Sequence, residues 1–355
     1  MDVPPLPTRR AAVATLVATE GSSPKEAGSK MWVDESGAIV GSVTIGGCVD
    51  ARVIEEARQV LAEGVPRLIA MSLGDEDAWA LGMTCAGTVE VLIEPYTPAS
   101  DSDPVARSLA VAAREVAAGR RLAIVLPLPG PGGRMLVRES GQRSGTLGDP
   151  AIDLAAAAVA MEQLASGRSG STTLATPAGE VKVYVEVHAP PLTLVIFGAT
   201  HVAMPLVELA RSLGLRTVVV DGRELFATRA RFPTADELMV GMPSEIATRL
   251  ALGPASLVVL LSHDYKYDLP VLRAVLASEA AYIGCLGSAK RGKAMVEFLA
   301  DEGVPRDQLS RVRVPIGLDI GARSAPEIAL SVLAEAMAVQ RGRHGGPMRD
   351  RRPGA

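Results

Sequence analysis

Two apolar runs of strand length bracket one helical pattern in the second half of the chain, and few folds accommodate that arrangement. Leu192-Thr193-Leu194-Val195-Ile196-Phe197 is apolar almost throughout, as a strand is when a parallel sheet buries both its faces. Gly198-Ala199-Thr200-His201 is a turn, Val202 to Leu213 is helical, and Gly214 stops the helix. Arg216-Thr217-Val218-Val219-Val220-Asp221 is a second buried strand that ends in an acid. This β-turn-α-β unit, with Asp221 about twenty residues beyond Gly198, has the layout of a dinucleotide-binding fingerprint. The detail differs, because Thr200 replaces the second glycine and a pyrophosphate would approach less easily. The pattern therefore argues for a doubly wound parallel sheet more than for bound NAD.

The alternation continues in the same style. Leu238 to Val240 and Leu257 to Leu261 read as strands, with helices from Pro243 to Leu252 and Pro270 to Ser278. Ser262-His263-Asp264 and Gly287-Ser288-Ala289-Lys290-Arg291 then fall at strand ends, where open parallel sheets hold their ligands. The plain alternatives are an exposed polar pair for His263 and Asp264 and a solvated helix start for Lys290 and Arg291. Cys285, between Ile283 and Leu286, reads as core packing. Pro315 to Gly321 is a rigid loop, and Pro326-Glu327 opens a last helix to Val339.

The first half is α+β. Ala11 to Thr19 is β-prone, and the loop after it, Glu20 to Gly28, carries Gly21, Ser22, Ser23 and Lys25, a set able to cradle an anion or simply to turn the chain. Met31 to Val33 and Ala38 to Val40 flank a hairpin turn. A strand pattern then runs into Gly46-Gly47-Cys48, and a helix follows at once, with Val49, Val53, Ala57, Val60 and Leu61 on one face. Cys48 thus stands at a helix N-terminus, where unpaired N–H groups and the macrodipole favour a thiolate. A small buried residue is the plain alternative. Cys85-Ala86-Gly87 places a second cysteine beside a glycine at the start of a strand. Beyond a connector, helices are expected near 105–118 and 151–165, strands at 122–128 and 181–187, a hairpin around 135–148 and a polar loop at 167–179. His188-Ala189-Pro190-Pro191 breaks the last strand and marks the domain boundary. The expected division is 11–188, with a core at 11–97 and an extension at 105–188, then 191–340 and a disordered, basic tail at 341–355.

Composition excludes several functions. With 355 residues and 48% hydrophobic content, the chain can bury two cores. A net charge of −4 and 3% aromatics suit neither a polyanion partner nor base stacking, so no nucleic acid is expected. No apolar run reaches membrane-spanning length and residues 1–10 lack a signal-peptide core, so a cytoplasmic protein is expected. Three dispersed cysteines and four histidines make neither a disulfide framework nor a structural metal site.

Taken in order, Glu20-Gly21-Ser22-Ser23-Pro24, Gly46-Gly47-Cys48-Val49-Asp50, Cys85-Ala86-Gly87, Gly198-Ala199-Thr200-His201, Ser262-His263-Asp264, Tyr282-Ile283-Gly284, Gly287-Ser288, Pro315 to Gly321 and Pro326-Glu327-Ile328-Ala329 resemble the XdhC/CoxI family. These are accessory proteins of xanthine dehydrogenase and related molybdenum hydroxylases. The resemblance implies a chaperone that binds the molybdenum cofactor, presents it to a cysteine desulfurase for exchange of an oxo for a sulfido ligand, and passes it to the apo-hydroxylase. It implies cofactor binding by Cys48, also a candidate molybdenum ligand, with Cys85 as companion. Gly21, Ser22, Gly46 and Gly47 would line that pocket, and Gly198, His201, Asp221, His263 and Asp264 the Rossmann site. A homodimer is likewise implied by the family alone. The sequence departs from the family pattern at Thr200, at Ile45 to Asp50, at Ala86 and at Lys25, which replaces an arginine. Two other readings stand beside the chaperone. One is an NAD(P)-dependent oxidoreductase with the nucleotide on Gly198 and Asp221 and His263 as general acid; the other is a scaffold that holds the hydroxylase and no small molecule.

Overall fold

The computed structural model describes residues 6–21, 25–44, 47–72, 87–98, 100, 102–128, 133–176, 179–262 and 264–350, with the backbone alone at 21, 47 and 48. The chain forms two compact units, Met1–Pro190 and Pro191–Ala355.

In the first unit, Ala11–Gly21 (β1), Lys30–Asp34 (β2), Ile39–Gly41 (β3), Arg67–Ser72 (β4) and Gly87–Tyr96 (β5) form an antiparallel sheet in the order β3-β2-β1-β5-β4, and Gly47–Glu63 (α1) joins β3 to β4. A second sheet has the order β8-β7-β6-β10-β9, built from Leu122–Leu128 (β6), Met135–Arg138 (β7), Arg143–Gly145 (β8), Gly170–Thr176 (β9) and Gly179–His188 (β10). Pro104–Ala117 (α2) lies between the two in sequence, and Pro150–Ser166 (α3) joins β8 to β9. Strand alternation decides which face goes where. On β1, Ala12, Ala14 and Leu16 pack with Val53, Ala57 and Val60 of α1. Val13 and Val17, from the opposite face, join Trp32, Leu109 of α2, Ile124 and Tyr184 in a core shared by the two sheets. α3 covers the far side of the second sheet through Ala156, Ala160 and Leu164.

The polar loop expected at 167–179 is instead the edge strand β9, paired antiparallel with β10 from Gly170 opposite Val185 to Thr176 opposite Gly179. Its polar residues misled because an edge strand needs few apolar side chains. The backbone ladder and Leu174, 5% exposed, hold it in place.

The seam between the sheets is charged. Lys30 on β2 donates to Thr15 (2.8 Å) and to Glu186 on β10 (3.0 Å), and both side chains of that ion pair are 3% exposed. Lys182 on β10 reaches Glu90 on β5 at 2.7 Å, Arg134 reaches Glu94, and Ser171 on β9 donates to the Val17 carbonyl at 2.8 Å. Burial alone would push the Glu186 carboxyl up, but the Lys30 ammonium and His188 outweigh it and hold the group far below the usual carboxylate range.

In the second unit, Thr193–Phe197 (β11), Arg216–Asp221 (β12), Glu237–Val240 (β13), Ser256–Leu260 (β14), Tyr282–Cys285 (β15) and Val312–Arg313 (β16) form a parallel sheet in the order β13-β12-β11-β14-β15-β16. That is the doubly wound Rossmann order, and its topological switch point lies between β11 and β14. Ala203–Ser212 (α4) contributes Leu206, Val207 and Ala210 to the core on one face of the sheet. Pro243–Arg249 (α5), Tyr265–Leu276 (α6) and Ala289–Asp301 (α7) cover the other face, with Ile246, Leu272 and Leu299 among the buried residues. Arg306–Leu309 (α8) precedes β16, and Ala325–Gln340 (α9) returns through Val332 and Leu333 to the face that α4 occupies. A capping box of Ser324 and Glu327 starts α9. No helix among the described residues is long and apolar enough to cross a membrane.

The charged seam yields the first prediction. Lys30→Met removes the ammonium that faces the buried Glu186 carboxylate, leaving His188 beside it, and is expected to cost about 3–5 kcal/mol in urea denaturation at neutral pH. Because the folded state depresses this carboxyl, its contribution is present above the ordinary value of 4.5 and is lost as pH falls below it. The stability gap between wild type and Glu186→Gln should therefore shrink on acidification below that value. A gap that widens there contradicts the assignment.

Candidate functional site

In the first unit the candidate site is the turn that delivers the chain into α1. The helix begins at Gly47, and Cys48 is its second residue. Val49, Val53, Ala57, Val60 and Leu61 are buried along one face, in the spacing an amphipathic helix requires. Asp50, in the first turn, reaches back to the segment that precedes the helix. Its carboxylate accepts from Ser42 Oγ (2.5 Å), Val43 N (3.3 Å), Thr44 N (3.4 Å) and Thr44 Oγ1 (3.4 Å). Lys25, beyond β1, donates from Nζ to the Ser42 carbonyl at 2.7 Å. Lys25 and the start of α1 are thus both tied to Ser42. Lys25 has a structural task here that the anion-cradle reading omitted. Asp50 was not expected to have one at all, and the only signal for it was an acid in the first turn of a helix.

Gly21 closes β1 opposite Gly87 of β5, which brings the end of the first strand beside the start of the strand that follows Cys85. Ser22, Gly46, Cys85 and His263 lie outside the described residues, as does the side chain of Cys48. Among the described residues no group of three or more His, Cys, Asp or Glu side chains is placed to hold a metal ion.

In the second unit the candidates gather at the carboxyl edge of the sheet. Gly198 has φ +107°, and a Cβ there would stand 3.0 Å from Ser262 N and 3.1 Å from the Leu261 carbonyl carbon. The turn after β11 therefore lies directly against the end of β14, and glycine is required for both reasons. Asp221 is 4% exposed. Its Oδ1 accepts from Arg223 N and Nε, each at 2.9 Å, and its Oδ2 accepts from Ala199 N at 2.7 Å and Arg223 Nη2 at 2.8 Å. Burial opposes ionisation, yet the Arg223 guanidinium and these N–H groups hold the Asp221 carboxyl below its ordinary value. His201 is exposed in the turn before α4. Asp264 caps α6, accepting from Lys266 N at 2.9 Å.

Arg291 departs from the solvated helix start expected for Lys290 and Arg291. Lys290 is exposed, but Arg291 turns inward, pairs with the buried Asp268 at 2.9 Å and lies 4.2 Å above the Tyr265 ring. Asp268 also accepts from Ser262 Oγ. It escaped notice in the sequence, although an acid at the i−3 and i−4 positions of Val271 and Leu272 is an anomaly on an apolar helix face that calls for a partner. Cys285 is 1% exposed, and burial pushes its thiol well up, which suits core packing.

Comparison with known proteins follows the division of the structure. A model of the XdhC Rossmann domain matches residues 194–336, and a model of the XdhC and CoxI family matches residues 7–72. The chain belongs to the XdhC/CoxI family. Within that setting it is 27% identical to a probable xanthine dehydrogenase subunit of Bacillus subtilis over 329 residues, 92% of each chain. It is 28% identical to the molybdenum cofactor insertion chaperone PaoD of Escherichia coli over 253 residues, 59% of this chain and 78% of that protein. A crystal structure described as a xanthine dehydrogenase from Bacillus halodurans superposes with a TM-score of 0.75 at 26% identity, covering 97% of this chain and 94% of that one.

The Rossmann turn in this family member is testable by one substitution. Gly198→Ala should destabilise the protein by on the order of 1–3 kcal/mol, read as a lowered Tm, because it combines backbone strain with a clash against β14. An unchanged Tm would contradict the close approach.

Proposed function

We propose that the protein is an accessory chaperone of a molybdenum hydroxylase: it takes the molybdenum cofactor as cargo, presents it to a cysteine desulfurase for sulfuration, and delivers it to the apo-hydroxylase. The observation that carries this reading is the start of α1, where Cys48 occupies the second helical position and residues 42–44 ahead of it are braced by Asp50 and Lys25. A helix start offers unpaired N–H groups and a positive dipole end, so a thiol there is favoured as thiolate, and a thiolate is a soft ligand suited to molybdenum. The likeness to an insertion chaperone and to a probable xanthine dehydrogenase subunit supports the same class of client.

In this reading the cargo region has its core at 11–97 and an extension at 105–188, and the Rossmann region spans 191–340. Gly21, Ser22, Gly46 and Gly47 let cofactor atoms approach the backbone, Cys48 supplies the sulfur donor, and Cys85 stands as its companion. The protein works in the cytoplasm as a homodimer and performs no turnover of its own. Its contribution is to hold the cofactor, exclude oxidants and release it to the client.

The test is cofactor retention. Protein mixed with molybdenum cofactor released from a donor enzyme, then freed of unbound material by gel filtration, should carry stoichiometric pterin by fluorescence after oxidation. Cys48→Ser should retain little while keeping its Tm. Alkylation of the native protein near neutral pH should label Cys48 and spare Cys285, whose thiol is buried. No pterin on wild type, under conditions where a known binder retains it, overturns the reading.

A further inference from the structure

The doubly wound order of the second unit implies a dinucleotide, and the residues at the ends of β11 and β12 do not fit one. In this fold the acid that ends the second strand accepts the hydroxyls of a ribose. Here that acid is Asp221, and its two oxygens already take the four donors described above, which fills the roughly four lone-pair sites of a carboxylate. Two of the four come from one guanidinium. Arg223 Nε and Nη2 address Oδ1 and Oδ2 side by side, the two-donor pattern that a vicinal diol would present.

Arg223 is itself held in place. Its guanidinium carbon lies 3.8 Å from the centroid of the Phe226 ring. Arg231 packs 5.1 Å from the same ring and donates from Nη1 to the carbonyls of Ala199 (2.9 Å) and Phe226 (2.8 Å), linking the turn after β11 to the segment that carries Arg223. Thr200, in place of the second fingerprint glycine, spends its N–H on the Gly198 carbonyl at 2.9 Å.

We infer that Arg223 is an internal substitute for the ribose and that it closes the Rossmann unit to NAD(P). Solvent screens the outer part of Arg223, which is 55% exposed, but the carboxylate it grips is 5% exposed. Both partners of the Arg223–Asp221 fork are ionised, whereas a diol would donate to the same carboxylate as a neutral group, so displacing the guanidinium would exchange a bidentate ion pair for weaker bonds. The inference holds whether or not the first unit carries a cofactor, and it removes the oxidoreductase reading on grounds of its own.

Calorimetric titration of the full chain with NAD+, NADP+ and ADP-ribose tests it. Wild type should show no saturable binding up to about 1 mM. Arg223→Ser keeps both backbone donors to Asp221 and frees the two positions that the guanidinium filled. It should bind ADP-ribose with a Kd at least about tenfold below the wild-type limit, and adding Asp221→Asn should abolish the gain. Arg223→Ala, which likewise keeps the backbone N–H and removes the fork, should show the same gain and serves if the serine variant fails to fold, with circular dichroism and Tm as the check. Asp221-dependent binding to wild type overturns the inference, and so does the absence of any gain in a folded Arg223 variant.

Discussion

Each candidate site depends on one aspartate whose carboxylate gathers backbone N–H groups around a turn. Asp50 collects Val43 N and Thr44 N with the Ser42 and Thr44 hydroxyls, and Asp221 collects Ala199 N and Arg223 N with the Arg223 guanidinium. The interaction is the same, since an ionised carboxylate is a strong acceptor of several N–H bonds and turns leave such donors unpaired. The consequences are opposite. Asp50 acts from inside the first turn of α1 and shapes the segment that leads into it. Asp221 braces the Rossmann turn with the very group a nucleotide would need, so in that unit the fold is kept and the ligand position is filled from within.

The first unit pairs this local brace with an unusual interior. Two antiparallel sheets share a core that contains Trp32 and Tyr184 and is crossed by two ion pairs, Lys30 with Glu186 and Arg134 with Glu94, while the half-exposed pair of Lys182 and Glu90 bridges the sheets nearer solvent. Apolar residues of the same volume would stabilise such a seam as well or better. Charged pairs add direction: a register shift of one residue in any of these strands would carry its charged side chains to the opposite face of its sheet.

The parallel sheet was legible in the sequence because continuous apolar runs at β11, β12 and β14 have few other uses, and a glycine, a helix and an acid stood between and after them in order. The position of Cys48 was legible for a similar reason, as a strand pattern, two glycines and a one-faced helix leave it little freedom. What escaped were features made by pairing across the fold. β9 is polar and owes its existence to β10; Arg291 reads as a surface base until Asp268 is brought beneath it; and the saturation of Asp221 depends on Arg223 folding back across two residues. Lys25 and Asp50 both bond Ser42, and no periodicity encodes those contacts. The family resemblance extended the reading to client and cargo, but the structural roles of these residues became visible only in three dimensions.

In this account the first unit holds the cargo and the second is a Rossmann fold without a nucleotide. Hydrogen–deuterium exchange of the protein with and without bound molybdenum cofactor separates these roles in one measurement. New protection should appear in peptides spanning 42–53 and 87–92, with 198–223 unchanged. Protection confined to 198–223 would contradict the account and move the cargo to the Rossmann edge.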